Sequence, residues 1–339
     1  MQWTALVEDI DHVCCRYRLG QMQSALARSG VEVRLQPLPN SFWRRRQLFA
    51  ALRGANVILQ RRLLDSLSWR LLRRSVASVA YDFDDAVWLR DSYAPRGLQS
   101  YRRLNRFQRI VAESDVILAG NQFLADFSRQ FNRRGAVTVA PTCVEPGRYP
   151  IAKHNRSTNV RLVWIGSSST LRGLEQFRDV LDAVGEAMPH ASLRLVCDRT
   201  LTLEKLRVEF CPWSEANEAA TLADSDIGIS WLPDDDWSRG KCGLKVLQYF
   251  AAGLPVVANP VGVHREMILQ GDTGFLATTR QQWLDTIISL AESTLRRREI
   301  GTYARSLVER HYSVDSTVPK LIEALSIIAH KVVETAVSA

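Results

Sequence analysis

The sequence has no long hydrophobic run, and its first 150 residues contain no lysine. Without a stretch of about 18 consecutive apolar residues, we expect no transmembrane helix. The first residues, MQWTALVEDID, turn acidic by position 8 and contain no apolar segment of the signal-peptide type. Six cysteines, at positions 14, 15, 143, 197, 211 and 242, match no zinc-binding spacing, and a chain of 339 residues needs no disulfide framework. These absences predict a cytoplasmic protein with reduced thiols.

Positive charge is concentrated in the first half of the chain. Residues 1–150 hold 23 arginines and 13 acidic residues, a net charge of +10, whereas the rest carries a net charge of −2. The arginines cluster in two helical patterns with leucines and aromatic residues, at 42–53 and 61–74. Such helices favour an anionic membrane surface, such as the inner face of the cell membrane; a solvated face over a core stripe is the alternative. No nucleic-acid recognition motif accompanies them, so we expect no nucleic-acid partner.

Predicted strands and helices alternate along the chain, whose length suggests two domains of about 150 residues each. Strands are predicted at residues 3–7, 31–35, 57–59, 78–81, 116–119, 136–140, 161–165, 192–197, 208–210, 226–231 and 255–258. Helices are predicted at residues 16–28, 41–53, 97–113, 123–131, 174–184, 243–253, 281–293, 295–310 and 314–337. This alternation predicts the α/β class, with parallel doubly wound sheets and right-handed crossovers. The polar, proline-containing residues 146–159 are the best candidate for a linker.

Two turns carry the residue types that bind phosphate. Arg239, Lys241 and Lys245 lie near the start of the helix that ends at Gly253. A second turn, GSSST at residues 166–170, follows a predicted strand and opens a helix. In an open parallel sheet, ligands bind at such strand ends, where helix N-termini and cations attract anions. An ordinary helix cap and a solvated lysine pair are the alternatives.

Three carboxylates occur within four residues at the end of a predicted strand: Asp82, Asp84 and Asp85. Because such groups repel one another, a cluster of them has a cationic partner or serves chemistry. The cluster predicts a functional acid at this strand end. A structural pair that caps a turn and binds nearby arginines is the alternative. A magnesium site is a third interpretation, but no second acidic cluster is tied to it by spacing, so we expect no metal.

Residues 226–277 resemble the donor-binding segment of retaining glycosyltransferases of glycosyltransferase family 4, also called glycosyl transferases group 1. The resemblance rests on the order and spacing of VLQYFAAG at 246–253, PVVA at 255–258, GVHRE at 262–266 and GDTGFL at 271–276. It implies the GT-B architecture, in which two Rossmann-like domains face a cleft. The acceptor domain would span residues 1–150 and the donor domain residues 151–313, with the last helix, 314–337, packed back on the first domain.

The resemblance also implies an activity. Family members transfer a sugar from a nucleotide-diphosphate donor with retention of the anomeric configuration, and fixed cations rather than a metal or other cofactor stabilise the leaving diphosphate. The basic first half suggests a glycan or lipid-linked acceptor. Two other classes stay open, because a fold alone permits many functions. One is a non-catalytic protein that binds nucleotide sugars, and the other is a GT-B epimerase or hydrolase that uses the acidic cluster.

Phosphate-binding roles follow from the resemblance residue by residue. Gly166, Ser167 and Arg172 match the family's glycine, arginine and lysine, so Ser167 lacks one of the expected cations. Lys241 and Lys245 could compensate for that charge, with Arg239 beside them, and Lys245 would also stabilise the leaving group during catalysis.

Contacts to the donor sugar and nucleotide depart from the family pattern. Gly240 and Gln248 stand where the family has two glutamates. Gln248 keeps an acceptor for a ribose hydroxyl, whereas Gly240 has no side chain, so Asp234 or Asp235 would replace its contact.

The remaining implied site residues are spread along the chain. Trp213 stands where the family reads the nucleotide base; a core position for Trp213 is the alternative. Gly262 and Glu266 match a turn of the family in which the glutamate holds either the turn or a ribose; a structural role for Glu266 is the alternative. His264 is interpreted as a loop histidine. Arg16 and Arg18 would face the cleft with Asp85, while Asp84 falls at the family's catalytic histidine position, with Asp82 two residues before it.

Overall fold

The computed structural model describes residues 1–155 and 159–337. Within these ranges the chain forms two compact units. The amino-terminal unit combines Met1–Cys143 with Asp235–Cys242 and with the helix that begins at Val314, whereas the carboxy-terminal unit combines Val144–Asp234 with Gly243–Ser313. A single boundary at residue 150 therefore does not describe the division, because one short segment from the second half of the sequence packs with the first unit.

The amino-terminal unit is built on one parallel sheet. Its strands are β1 (Gln2–Val7), β2 (Glu32–Pro37), β3 (Asn56–Gln60), β4 (Ser78–Phe83), β5 (Val116–Ala119) and β6 (Ala136–Val139). They pair in the order β2-β1-β3-β4-β5-β6. The helices between them are α1 (Val13–Arg18), α2 (Gln23–Arg28), α3 (Phe42–Ala51), α4 (Ser66–Ser75), α5 (Tyr101–Glu113) and α6 (Gln122–Arg129).

The carboxy-terminal unit has a second parallel sheet. Its strands are β7 (Arg161–Ile165), β8 (Ser192–Cys197), β9 (Arg207–Pro212), β10 (Ile227–Ser230), β11 (Val256–Ala258) and β12 (Gly274–Leu276), and they pair in the order β12-β11-β10-β7-β8-β9. The helices that follow β6 are α7 (Ser168–Gln176), α8 (Arg178–Ala187), α9 (Glu215–Ala223), α10 (Asp236–Arg239), α11 (Leu244–Ala251), α12 (His264–Met267), α13 (Arg280–Glu292), α14 (Thr294–His311) and α15 (Val314–Val337). Of these, α10 and α15 belong to the amino-terminal unit.

Alternate strand residues face opposite layers of helices. In β3, Val57 and Leu59 pack in one core while Ile58 packs in the core on the other face of the sheet. The period of two in a strand places successive side chains on opposite faces, so a sheet covered on both faces needs apolar residues at every position. Val318 and Leu321 of α15 belong to the second of these cores, which makes the last helix part of this layer.

Each sheet has one point at which the strand order reverses. The reversal lies between β1 and β3 in the amino-terminal sheet and between β7 and β10 in the carboxy-terminal sheet. Connections leave these neighbouring strands toward opposite faces, so a crevice opens at their carboxyl ends, where open α/β sheets bind ligands.

Several elements differ from the sequence-based expectation. The helix predicted over residues 16–28 is broken by a 3-10 turn at Gly20–Met22, and the helix near residues 174–184 is two helices, α7 and α8. The helix α9 was not predicted. In the proposed linker, Tyr149, Ala152 and His154 are buried, and the N–H of Ala152 donates to Ala252 O at 2.9 Å. Residues 156–158 of that linker lie outside the described residues.

We expect Gly301→Ala to destabilise the carboxy-terminal unit. A Cβ atom at Gly301 in α14 would lie 1.9 Å from the carbonyl oxygen of Gly253, which follows α11. Since a backbone atom cannot move aside as a flexible side chain can, the overpacking should cost about 1–3 kcal/mol of unfolding free energy or more. Urea unfolding measures the change, with the exposed Thr302→Ala as control; equal stability of both variants would contradict this packing.

Candidate functional site

The corner after β7 places a helix N-terminus at the reversal point of the carboxy-terminal sheet. Ser167 caps α7: its hydroxyl is 2.8 Å from Ser169 Oγ, and its N–H donates to Thr170 Oγ1 at 3.2 Å. A Cβ atom at Gly166 would lie 2.4 Å from the Trp164 ring and 2.7 Å from Thr170 Oγ1. Glycine is therefore required, and the first turn of α7 presents hydroxyls and backbone N–H groups together.

Lys245 brings a cation to the same corner. It lies in the first turn of α11, and its Nζ is 3.5 Å from Thr170 Oγ1 and 4.2 Å from the centroid of the Trp164 ring. The ammonium group and the N-terminus of α7 both attract anions, and the Asp198 carboxylate already accepts from Ser168 N at 2.6 Å. The turn at 166–170 and Lys245, which the sequence suggested separately, thus form one anion-binding arrangement.

His264 is buried next to this corner, and the interpretation as a loop histidine is replaced by a buried position at the start of α12. Its Nδ1 is 2.9 Å from Asn259 O and its Nε2 is 3.2 Å from Ser230 Oγ, at the end of β10. Burial, together with Lys245, lowers the pKa of His264 to about 4. The imidazole is therefore neutral near pH 7, and Lys245 supplies positive charge to the corner.

The other predicted phosphate ligands have different surroundings. Arg172 is exposed on α7. Arg239 and Lys241 belong to the amino-terminal unit, where Arg239 pairs with Asp236 at 3.1 Å and Lys241 Nζ lies 3.0 Å from Asp85 Oδ1. Lys241 and Lys245 belong to different units, because the chain passes from one unit to the other between these two residues.

A hydrogen-bond network holds Gln248. Its amide donates to Glu218 Oε1 and to Tyr149 Oη, at 3.3 and 3.4 Å, and Trp213 Nε1 donates to Glu218 Oε2 at 2.7 Å. Gln248, Glu218 and Tyr149 are all buried, whereas Trp213 is 42% exposed. A glutamate at position 248 would place two buried carboxylates together, which explains physically why this chain has glutamine there.

The sugar-contact candidates occupy different surroundings. Asp235 caps α10, where it accepts from Ser238 N at 2.8 Å and from Ser92 Oγ at 3.1 Å, while Asp234 is exposed. Gly240 packs so closely that a Cβ atom would lie 2.7 Å from Ala86 N, so a glutamate cannot occupy this position without moving the backbone.

Gly262 and Glu266 lie at the turn that opens α12. Gly262 has a φ of 53°, in the left-handed region that favours glycine, and Glu266 is exposed on the helix.

A buried ion pair lies under the acidic cluster of the amino-terminal unit. Arg18 binds Asp82 through its Nε and Nη2 groups, with Nε 3.1 Å from Oδ1, and both side chains are about 3% exposed. Gln60 donates to the other oxygen of Asp82 at 3.2 Å, and Arg18 also donates to Ala140 O at 2.6 Å. Asp82 is therefore held by partners within its unit. The neighbouring Arg16 lies over the Tyr17 ring, 4.6 Å from its centroid.

Arg61 holds the other two carboxylates. Its Nη1 is 2.7 Å from Asp84 Oδ1, and its Nη2 is 2.6 Å from Asp85 Oδ2. Burial alone raises the pKa of Asp84, but Arg61 and Arg18 outweigh it and hold the pKa below its usual value. Arg61 adopts a φ of 57°, uncommon for a residue other than glycine, so the surrounding contacts must favour this conformation.

The segment Asp235–Cys242 docks onto these carboxylates. The Asn121 amide donates to the backbone oxygens of Arg239 and Lys241, at 3.2 and 3.0 Å. Cys242 is buried, with Sγ donating to Asp84 O at 3.2 Å, and a Cβ atom at Gly120 would lie 2.4 Å from this sulfur. The glycine at position 120 thus permits the close approach of the segment.

Sequence reasoning missed Arg61, Asn121 and Glu218. Arg61 directly follows β3, the neighbour of β4, so its pairing with the carboxylates after β4 could have been inferred from strand adjacency. Asn121 and Glu218 meet partners over 100 and 30 residues away in sequence, respectively, and carry no local signal.

Among the residues that the structure describes, neither a membrane-spanning helix nor a cluster of metal-binding side chains is found. In residues 1–155 and 159–337, no helix is both long and apolar enough to span a bilayer. Across the part of the chain that the structure describes, no group of three or more His, Cys, Asp or Glu side chains is placed to hold a metal ion.

Comparison with solved structures shows the fold. Sucrose-phosphate synthase from Thermosynechococcus elongatus matches with a TM-score of 0.77 and 14% identity, over 97% of this chain and 99% of that chain. HepE from Anabaena in complex with UDP and glucose matches with a TM-score of 0.69 and 16% identity, over 96% and 99%. A glycosyltransferase from Rickettsia africae matches with a TM-score of 0.69 and 13% identity, over 97% and 98%. The chain thus has the GT-B fold predicted from its sequence.

The family assignment comes from the carboxy-terminal half. Residues 159–293 match the family model described as glycosyl transferases group 1, which confirms the resemblance seen in the sequence. A search of curated protein sequences gave no match.

We expect His264→Gln to reduce the loss of stability on acidification. The pKa of this histidine is about 4 in the folded chain and about 6.5 when exposed, so below pH 6.5 the unfolded chain takes up a proton that the folded chain does not. The resulting loss of unfolding free energy should be about 1.4 kcal/mol per pH unit between about pH 6.5 and pH 4.

Urea titrations at pH 7 and pH 4.5 measure this effect as the difference between the wild type and the variant. The exposed His190→Gln serves as the control and should keep the wild-type pH dependence. An unchanged pH dependence in His264→Gln would contradict the burial of a neutral imidazole.

Proposed function

We propose that this chain is a glycosyltransferase that moves a sugar from a nucleotide-diphosphate sugar to an acceptor. The observation that carries the proposal is the position of Lys245 Nζ, 3.5 Å from Thr170 Oγ1 at the N-terminus of α7. Such a corner suits a diphosphate, because the ammonium group and the helix N-terminus both attract anionic oxygens. Both parts of the corner lie inside the glycosyl transferases group 1 segment, and HepE, which has the same fold, was solved with UDP and glucose.

Lys245 and the first turn of α7 form the proposed diphosphate site. Gly166 lets the ligand approach the backbone, Ser167 offers a hydroxyl, and Arg172 is an exposed cation on the same helix. Lys245 would stabilise the charge that develops on the leaving diphosphate, so fixed protein cations take the place that a metal ion fills in other phosphate sites. Lys241 and Arg239, which the sequence also suggested, pair with Asp85 and Asp236 in the amino-terminal unit.

The base and ribose of the donor are proposed to bind near the Glu218 network. Trp213 is exposed enough to contact a base, and Gln248, whose amide N–H donates to Glu218, is the proposed contact to the ribose. Exposed Asp234 and Glu266 are the proposed contacts to sugar hydroxyls, in place of a side chain at Gly240.

Transfer is proposed to retain the anomeric configuration, as the family resemblance suggests. Among the clustered carboxylates, Asp84 is the better candidate for a contact to the reacting sugar, since Asp82 is saturated by Arg18 and Gln60. Arg61 keeps Asp84 ionised, which suits the stabilisation of a positively charged transition state.

The acceptor is proposed to be a glycan or a lipid-linked precursor of one. A lipid-linked acceptor would require the protein to work at the inner face of the cell membrane. The high arginine content of the first 150 residues supports that location, since an anionic leaflet attracts basic surfaces.

Nucleotide diphosphates and their sugars should raise the thermal stability of the wild type, and Lys245→Ala should weaken the effect. At about 100 times its dissociation constant, a ligand stabilises a fold by about 2.7 kcal/mol. Loss of one charged hydrogen bond should raise the dissociation constant at least about tenfold. Thermal unfolding with a panel of nucleotides measures both effects, and Lys205→Ala, an exposed lysine in the same unit, is the control.

The outcomes separate the candidate functions. Stabilisation that persists in Lys245→Ala would place the diphosphate elsewhere. Stabilisation without turnover on any acceptor would favour a nucleotide-sugar-binding protein, and consumption of the donor without an acceptor would favour an epimerase or hydrolase.

Sugar transfer should continue in EDTA and should give a product with the donor's anomeric configuration. Because Lys245 and the α7 N-terminus neutralise the diphosphate, removal of divalent cations should change the rate by less than about twofold. Proton NMR of the isolated product measures the coupling constant of its anomeric proton. Abolition of turnover by EDTA would disprove stabilisation of the diphosphate by protein cations alone. An inverted product would disprove retention.

A further inference from the structure

Three arginines from two helices converge on the loop that opens α4. Arg45 of α3 lies 3.6 Å from Asp65, the cap of α4, and Arg106 of α5 donates to Leu63 O at 3.2 Å. Arg109, one turn further along α5, binds Ser66 Oγ. This group, together with the exposed Arg102 at the start of α5, is called the α4-loop arginine surface.

The arginines in this surface are crowded. Burial and the neighbouring Arg62 lower the pKa of Arg45, and burial with Arg102 and Arg45 lowers the pKa of Arg106. The carboxylate of Asp65 acts in the opposite direction and raises the pKa of both Arg45 and Arg106. Like charges so placed repel one another, and an external polyanion would relieve that repulsion.

Large apolar side chains are exposed on the same three helices. Trp43 of α3 is 66% exposed, Leu67 in the first turn of α4 is 54% exposed, and Tyr101 at the start of α5 is 80% exposed. Arg46 lies over the Trp43 ring at 5.9 Å. Trp43 and Arg46 are thus neighbours, and an aromatic ring beside a basic group is typical of surfaces that lie at the boundary between lipid headgroups and acyl chains.

We propose that the α4-loop arginine surface, with Trp43, Leu67 and Tyr101 on its helices, docks the amino-terminal unit onto an anionic phospholipid membrane. The phosphates of the headgroups would bind the arginines, and the apolar side chains would enter the interface. Nucleic acid shares the phosphate chemistry but offers no apolar layer for the exposed leucine and aromatic rings. The inference deepens the membrane part of the proposed function and is independent of sugar transfer, because it uses none of the donor-site residues.

Vesicle sedimentation of the full chain tests the surface. Partition onto phosphatidylglycerol vesicles should exceed partition onto phosphatidylcholine vesicles and should fall as salt rises. The double variant Arg102→Gln/Arg106→Gln should lower the partition coefficient by about fivefold for each arginine. The control Arg28→Gln/Arg34→Gln removes the same charge from exposed positions on α2 and β2 and should change it by less than about twofold.

A second variant tests the membrane contact without changing the arginines that bind the loop before α4. Trp43→Ala changes one exposed side chain and should weaken the partition that persists at high salt, where charge is screened. Equal loss in both arginine pairs, equal binding to neutral vesicles, or binding to duplex DNA without binding to vesicles would each overturn the proposal. Vesicle binding with no nucleotide response would retain the surface and remove the enzyme assignment.

Discussion

The buried ion pair of Arg18 and Asp82 fixes the carboxyl edge of the amino-terminal sheet. Through Asp82, Gln60 and Ala140 it joins the ends of β4, β3 and β6 to α1. Breaking such a pair by removing one partner strands a buried charge and typically costs about 3–5 kcal/mol. The same edge carries Asp84 and Asp85, so the geometry of the acidic cluster depends on this pair.

The docked segment Asp235–Cys242 depends in turn on that edge. Lys241 binds Asp85 and Cys242 packs against Asp84, while the preceding β10 and the following α11 belong to the carboxy-terminal unit. This segment, for which the sequence predicts neither helix nor strand, thereby acquires fixed partners. This also explains the two departures from the family's glutamates: Ala86 leaves no room at Gly240, and Glu218 already supplies a carboxylate next to Gln248.

The strands and most helices could be predicted because their residues repeat with clear periods. The runs at 57–59 and 162–165 are continuous apolar stretches, as expected of strands covered on both faces. Neither the break of the first helix at Gly20 nor the helix α9 was predicted. The segment that forms α9 is rich in alanine and glutamate, so its apolar pattern is weak. Of the candidate site, Lys245 and the turn at 166–170 could be identified separately from residue type and from the family resemblance.

The sequence by itself determined the fold class, the parallel sheets and the chemical character of the corners, because these follow from local periodicity and residue type. Only the tertiary structure decided which groups meet. Arg61 pairs with Asp84 and Asp85 because the ends of β3 and β4 are adjacent, and Glu218 meets Gln248 because α9 packs on α11. Such pairings depend on contacts between residues far apart in sequence, which no local pattern specifies.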